Sequence, residues 1–303
     1  MTTRNRLNTG YHILGLFLLL PLVLCASTIL AQQKIREKPR TLLSTENLLT
    51  RTVTRHETRR LGYGGTVTIL GAPDGSITVE GWPRSEMEVT AEIILRAETE
   101  EDLSRLAIFN SFAFVDDPNH VRILTTGTHD KAFMKRVAKN FPKKLLGLPW
   151  KINYRVRVPA VTDVEINAGR GPITVSGVEG ALTLTASESE AKLTLTGGIV
   201  NATIGIGSVL VNIPVRSWHG NGAVLRLAAG DLTLELPAGF SGDIDADILR
   251  LGKIEVSYIG FESRQPPGLT SQIVRARAGA GGASFKLIVG DGTIRIKKQE
   301  TGK

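Results

Sequence analysis

From Gly64 onward, apolar and polar residues alternate in short runs bounded by glycine. GSITVEG at 75–81 sets Ile77 and Val79 against Ser76, Thr78 and Glu80, and GPITVSG at 171–177 repeats the arrangement with Ile173 and Val175. Further apolar pairs stand at Leu182/Leu184, Leu193/Leu195, Val209/Val211, Leu225/Leu227, Leu232/Leu234 and Ile294/Ile296. A strict period of two predicts half-buried strands, and the β-branched residues suit the pleat. Ile173 to Leu182 is 9 residues and Leu182 to Leu193 is 11, so like positions recur after 20. A repeat of that length marks a solenoid, in which each coil buries its apolar face only against its neighbours. The spacing drifts after Asn201. The expected class is therefore all-β, a single-stranded β-helix or solenoid with short coils, over about residues 61–298. A β-sandwich of hairpins is the competing architecture.

Glycines 177, 180, 197, 198, 230, 290 and 292 fall between the runs, where tight corners need positive backbone dihedrals. They do not form a phosphate loop: no Lys-Ser/Thr pair follows at the required spacing, and Gly279-Ala-Gly-Gly282 leads into a strand pattern. Two stretches break the alternation and predict inserted helices. Thr99 with Glu100, Glu101 and Asp102 makes a capped, acidic first turn, and Leu103, Leu106 and Ala107 supply an apolar face over about 99–110. Over 131–144, Phe133, Val137 and Phe141 stand four residues apart and Pro142 closes the helix.

The amino terminus is of another kind. Arg4 and Arg6 precede an uncharged run from Ile13 to Ala31, followed by Gln32-Gln33. A basic start, an apolar centre and a small residue before a polar break make a secretory signal peptide over 1–31. The 19-residue run is also long enough for an uncleaved membrane anchor. Cys25 follows Leu24, whereas lipidation favours a small residue before the modified cysteine. Cleavage after Ala31 would leave a chain with no thiol for a disulfide, a nucleophile or a metal site. Residues 32–60 are charged and threonine-rich and read as a flexible spacer, with a polybasic contact to anionic lipid or polymer as the sharper alternative. Residues 299–303 read as a tail.

Charge follows the same division. The net +8 comprises +2 before residue 32, +5 over 32–60 (eight Lys/Arg against Glu37, Glu46 and Glu57) and +1 for the remainder. A nearly neutral body argues against a nucleic-acid partner. The exception is local: nine Lys/Arg and no acid lie between Lys131 and Arg157, and such a segment could touch an anionic membrane.

The order of the pieces resembles a known family. GSITVEGWPRSEMEV (75–89), the acidic helix, Asn119-His-Val-Arg-Ile123 and INYRVRVPAVTDVEINAGRGPITVSGVEGALTLTAS (152–187) are similar to the bacterial family named putative adhesins, a domain of unknown function. Val158-Pro159, Ile173-Thr-Val175 and Gly177-Val-Glu-Gly180 match its pattern, and Gly290-Asp-Gly-Thr-Ile-Arg-Ile296 matches its closing coil. Where the family has Asn-Gly-Asp, this chain has Gly169-Arg-Gly-Pro172 and then Glu188-Ser-Glu-Ala191, and the 131–149 insertion is unusual. The resemblance implies a single-stranded β-helix and brings no catalytic or binding residue with it.

Little in the chain suggests reaction chemistry. His120, His129 and His219 have no second histidine or cysteine at metal-ligand spacing, no cofactor motif is present, and Gly239-Phe-Ser-Gly242 is not a nucleophile elbow. Asp243, Asp245 and Asp247 alternate with Ile244, Ala246 and Ile248, so three carboxylates share one strand face. That face is a weak candidate for a divalent cation, or for the acid/base chemistry of a carbohydrate-active β-helix. Trp82, Trp150, Trp218, His219, Lys135, Lys139 and Lys143 are candidate surface contacts. The expectation is an exported, non-enzymatic envelope protein of the periplasm or cell surface. It would act in adhesion or as a scaffold, with an envelope polysaccharide or protein as partner. A membrane-anchored regulatory scaffold is the further alternative.

Overall fold

The alternating runs stack on one another in register. The computed structural model describes residues 48–137 and 141–299; the signal segment, Cys25, the start of the spacer and the extreme carboxyl tail lie outside the described residues. The seventeen strands of the described residues join one hydrogen-bonded sheet, so the all-β expectation holds.

The middle of the stack is built from long strands that each serve two ladders. β10 (Ala181–Thr194) pairs in parallel with β8 (Asp163–Arg170) through its first half and with β9 (Ile173–Ser176) through its second. β11 (Gly197–Asn212) lies parallel to β10, and β12 (His219–Leu236) parallel to β11. Adding β2 (Thr66–Asp74), β13 (Gly242–Ile248) and β17 (Ser284–Lys298), one interior column reads Ile69, Ile166, Leu184, Ala202, Leu225, Leu287, Ala246. With β3 (Ile77–Trp82) and β14 (Gly252–Val256), a second reads Ile77, Ile173, Ala191, Val209, Leu232, Ile294, Ile254. Every member of both columns is buried, and they belong to one continuous apolar cluster.

Between the two ladders the inward positions change parity, from Leu225 and Leu227 to Leu232 and Leu234 in β12. A pleat of period two cannot do this without a corner. Glycine makes it: Gly207, Gly230, Gly292 and Gly252 stack with φ between +131° and +141°. A Cβ on Gly230 would stand 1.8 Å from the Gly207 carbonyl oxygen, and one on Gly292 would stand 1.8 Å from that of Gly230. Both the dihedral and the close approach exclude a side chain.

The stacking order departs from chain order. β17 lies between β12 on one side and β13 and β14 on the other. The segment around Gly290–Ile296, expected to close the stack, is instead inserted into it, because its Ile294 fills the column between Leu232 and Ile254. At the other end, β2 and β3 lie between the β8/β9 pair and the pair β6 (His120–Thr126) and β7 (Trp150–Pro159).

Two local expectations are corrected. Residues 49–60, expected to belong to the spacer, form β1 (Leu49–Arg60), antiparallel to β4 (Glu86–Ala97). Its half-buried face is Arg51, Val53, Arg55, Glu57 and Arg59, and its exposed face is mostly threonine. Arg55 donates to the Phe112 carbonyl at 2.9 Å and covers the Phe112 ring at 4.3 Å, and Arg59 covers Phe114 at 4.4 Å. Arginine stems thus serve as the inward residues, on the aromatic rings of β5 (Ser111–Asp117). The second helix is also shorter than expected. α2 covers Lys131–Val137, and extended Pro142 begins a separate 3-10 turn at Lys143–Leu145. Met134 is its buried residue, while Val137 is exposed. The first helix, α1 (Glu100–Phe109), is as expected: Thr99 Oγ1 accepts from the Asp102 N–H at 3.1 Å, and Leu103 and Leu106 are buried. Among the described residues no helix is long and apolar enough to cross a membrane.

Candidate functional site

The three aspartates share one face of β13, with Ile244, Ala246 and Ile248 buried behind them. β16 (Ile273–Ala278) runs antiparallel alongside and sets Arg277 opposite Asp243 and Arg275 opposite Asp245. Arg277 Nε donates to Asp243 at 2.9 Å, Arg275 donates to Asp247 at 2.7 Å, and Arg264 bonds Asp245 while lying 3.4 Å from Asp243. The Arg277 hydrogen bond is the main influence holding the Asp243 carboxyl below the usual carboxylate range, against a desolvation that raises it; the charges of Arg264 and Arg277 add to the lowering. Three arginines therefore interleave with three carboxylates. A cation would have to displace guanidinium groups to reach them. The complementary signal was in the sequence: the Arg-x-Arg of Ile273–Ala278 has the same period as the aspartates.

Other outward columns are paired in the same way. Glu80 of β3 lies between Arg155 and Arg157 of β7, and Arg157 continues to Glu88 of β4. Arg295 of β17 bridges Asp231 of β12 and Glu255 of β14. Among the described residues no cluster of three or more His, Cys, Asp or Glu side chains is placed to hold a metal ion.

The aromatic candidates divide. Trp218, expected as a surface contact, is only 8% exposed; its ring packs edge-on against Phe285 and its indole N–H donates to the Gly198 carbonyl at 3.1 Å. It is a core residue because it fills the space beside a glycine corner. His219 is exposed at the start of β12. Trp82 donates to the Glu86 carbonyl and carries Arg84 over its ring at 4.8 Å. Trp150 is half-buried against His129.

Lys135 and Lys143 meet at a cavity of about 770 Å³ that Thr128, His129, Lys131, Met134, Phe141 and Leu146 complete. Lys139 lies outside the described residues. The cavity is held from below. Phe141 packs edge-on to Phe109 of α1 at 5.0 Å, Lys144 pairs with Asp102 at 2.9 Å, and Leu145 is buried. Burial holds His129 below the ordinary histidine value, partly offset by the nearby Asp130 charge.

Known structures similar to this chain are bacterial. One is described as a putative cell adhesion protein from Clostridium sporogenes, at 14% identity over 82% of this chain and 100% of that one, with a TM-score of 0.45. A putative adhesin from Bacteroides fragilis is 10% identical over 82% and 97%, with a TM-score of 0.37. Another from Parabacteroides merdae is 10% identical over 80% and 95%, with a TM-score of 0.25. Adhesion in these descriptions is said of those proteins. No protein-family model matches the chain, and the comparison with curated proteins gives no match.

Proposed function

We propose that this chain is an exported, non-catalytic β-solenoid of the bacterial envelope, whose stacked coils form a rigid scaffold that binds a polysaccharide or protein partner across its outward faces. The observation that carries this reading is the pair of unbroken apolar columns, Ile69 to Ala246 and Ile77 to Ile254, joined by parallel in-register ladders. Such columns fix the outward residues of successive strands at the regular ladder spacing of about 4.8 Å. A repetitive surface of that kind suits recognition of a repetitive or extended partner.

The carbohydrate-active alternative would use Asp243, Asp245 and Asp247. Acid/base hydrolysis requires one carboxyl that holds its proton and another that is free to act. Arginine contacts engage the oxygens of all three, and Arg277 holds the Asp243 carboxyl below its usual range, which weighs against that chemistry. The anchored-scaffold alternative depends on residues 13–31 and on whether export ends in cleavage.

Cosedimentation with purified envelope polysaccharide, together with an assay for new reducing ends, tests the reading. Saturable binding with the polymer left intact is expected. Release of reducing ends that disappears in D243N/D245N/D247N would overturn it. Amino-terminal sequencing of the envelope fraction tests export: Gln32 is the expected first residue, and Met1 or Thr2 would contradict cleavage.

A further inference from the structure

We propose that the cavity beside α2 is a binding site for a single long-chain fatty acid, with the acyl chain against Met134, Phe141 and Leu146 and the carboxylate among Lys131, Lys135 and Lys143. This stands apart from any partner on the outward β columns and holds whether or not those columns are occupied.

The chemistry of the lining selects the ligand class. The volume, about 770 Å³, lies within the range of about 300–1,000 Å³ typical of small-molecule pockets. Among the described residues its apolar wall is Met134, Phe141 and Leu146, and its polar lining is Thr128, His129 and the three lysines. Thr128 is buried, and both its N–H and its hydroxyl already donate to Asn110 Oδ1, at 2.8 and 3.2 Å. A sugar would set its hydroxyls against Met134, Phe141 and Leu146, whose side chains offer them no good hydrogen-bond partner, at considerable cost. An alkyl chain has none to leave unpaired.

The rim selects the charge. Lys131, Lys135 and Lys143 are exposed, and among the described residues none of the three has a carboxylate within ion-pair distance. The adjacent acid, Asp130, is committed elsewhere: its Oδ1 accepts from the backbone N–H groups of Ala132 and Phe133 at 2.9 and 3.0 Å, capping α2. Lys144, by contrast, is already paired with Asp102. Three uncompensated ammonium groups over an apolar hollow complement a carboxylate on a hydrocarbon tail. The Phe109–Phe141 contact and the Asp102–Lys144 bridge hold this wall before any ligand arrives, which lowers the entropy lost on binding.

Titration of the full chain with the fluorescent fatty acid 11-(dansylamino)undecanoic acid tests the proposal. Saturable binding of about one probe per chain is expected, with palmitate displacing it and methyl palmitate competing about tenfold more weakly or worse. K131Q/K135Q/K143Q should weaken probe binding about tenfold or more while leaving the melting midpoint within about 2 °C. Leu146 is 43% exposed, so L146D should fold and should also lose the probe by placing a carboxylate in the hollow. No saturable uptake, equal competition by the ester, or unchanged binding in the folded variants would overturn the proposal. So would lysine-dependent sedimentation with phosphatidylglycerol vesicles but not phosphatidylcholine vesicles in the absence of probe displacement, which would mark a membrane-surface contact instead.

Discussion

Arg277 Nε donates to Asp243 Oδ1 at 2.9 Å, directly across the antiparallel pair of β16 and β13. The two residues lie 34 positions apart in sequence, and each is one of a period-two series, Asp243-Asp245-Asp247 and Arg275-Arg277. The interleaving turns what alone resembles an acidic site into a charge ladder.

Asp243 therefore makes stability depend on acid. Its folded carboxyl is held below the unfolded value of about 3.9, so its contribution is complete well above that value and fades as pH falls through the folded one. D243N should lower the melting midpoint at pH 7, and the gap from wild type should shrink below about pH 4. Melting curves between about pH 2 and pH 8 check this; a gap that does not vary with pH would contradict it.

The corner glycines make a sharper prediction. At Gly230 both the dihedral, φ +131°, and the Gly207 carbonyl oxygen, 1.8 Å from the added Cβ, oppose a side chain. G230A should cost about 2–4 kcal/mol. Gly64 also has positive φ, +67°, but its Cβ would meet open space, so G64A should cost only about 1–2 kcal/mol. Urea denaturation of the two variants checks the difference, and equal costs would show that crowding at the corner is absent.

Much of the fold is legible where local pattern and packing agree. Ile77/Val79, Ile173/Val175 and Leu232/Leu234 read as strands because one face is apolar; of the glycines between runs, Gly177, Gly198, Gly230 and Gly292 have the expected positive φ, whereas Gly180, Gly197 and Gly290 do not and are instead closely approached by neighbouring backbone. β1 escapes the same reading because arginine stems occupy three of its five inward positions, with Val53 the one aliphatic residue among them, and the ring partners of Arg55 and Arg59 are more than fifty residues away. The placement of β17 escapes for another reason. Leu287 and Ile294 alternate like the inward residues of any other strand, and nothing local states which neighbours they will have. The lysines of the cavity were visible as a basic run, but the hollow they surround depends on where Phe141 and Leu146 fold back.

β1 can be observed directly. A strand in the Leu49–Arg60 to β4 ladder should show slowed amide hydrogen exchange at its paired positions, whereas a spacer would exchange at once. R55A removes both the bond to the Phe112 carbonyl and the cover over its ring, and should cost about 1–2 kcal/mol and accelerate exchange in β1 first. Uniform rapid exchange over 49–60 in the wild type would contradict the strand.

The outward faces exist as described only if β17 stacks between β12 and β13. Arg226 and Ile288 are register partners, and so are Ile288 and Asp247, which leaves Arg226 and Asp247 two strands apart, about 9.6 Å. Cysteine pairs introduced into a C25S background measure this order by oxidation. R226C/I288C and I288C/D247C should form intramolecular disulfides, while R226C/D247C, beyond the reach of about 7 Å, should stay reduced. Efficient cross-linking of R226C/D247C, with none in the other two pairs, would mean that the strands stack in chain order and would contradict the architecture on which the proposed binding surface depends.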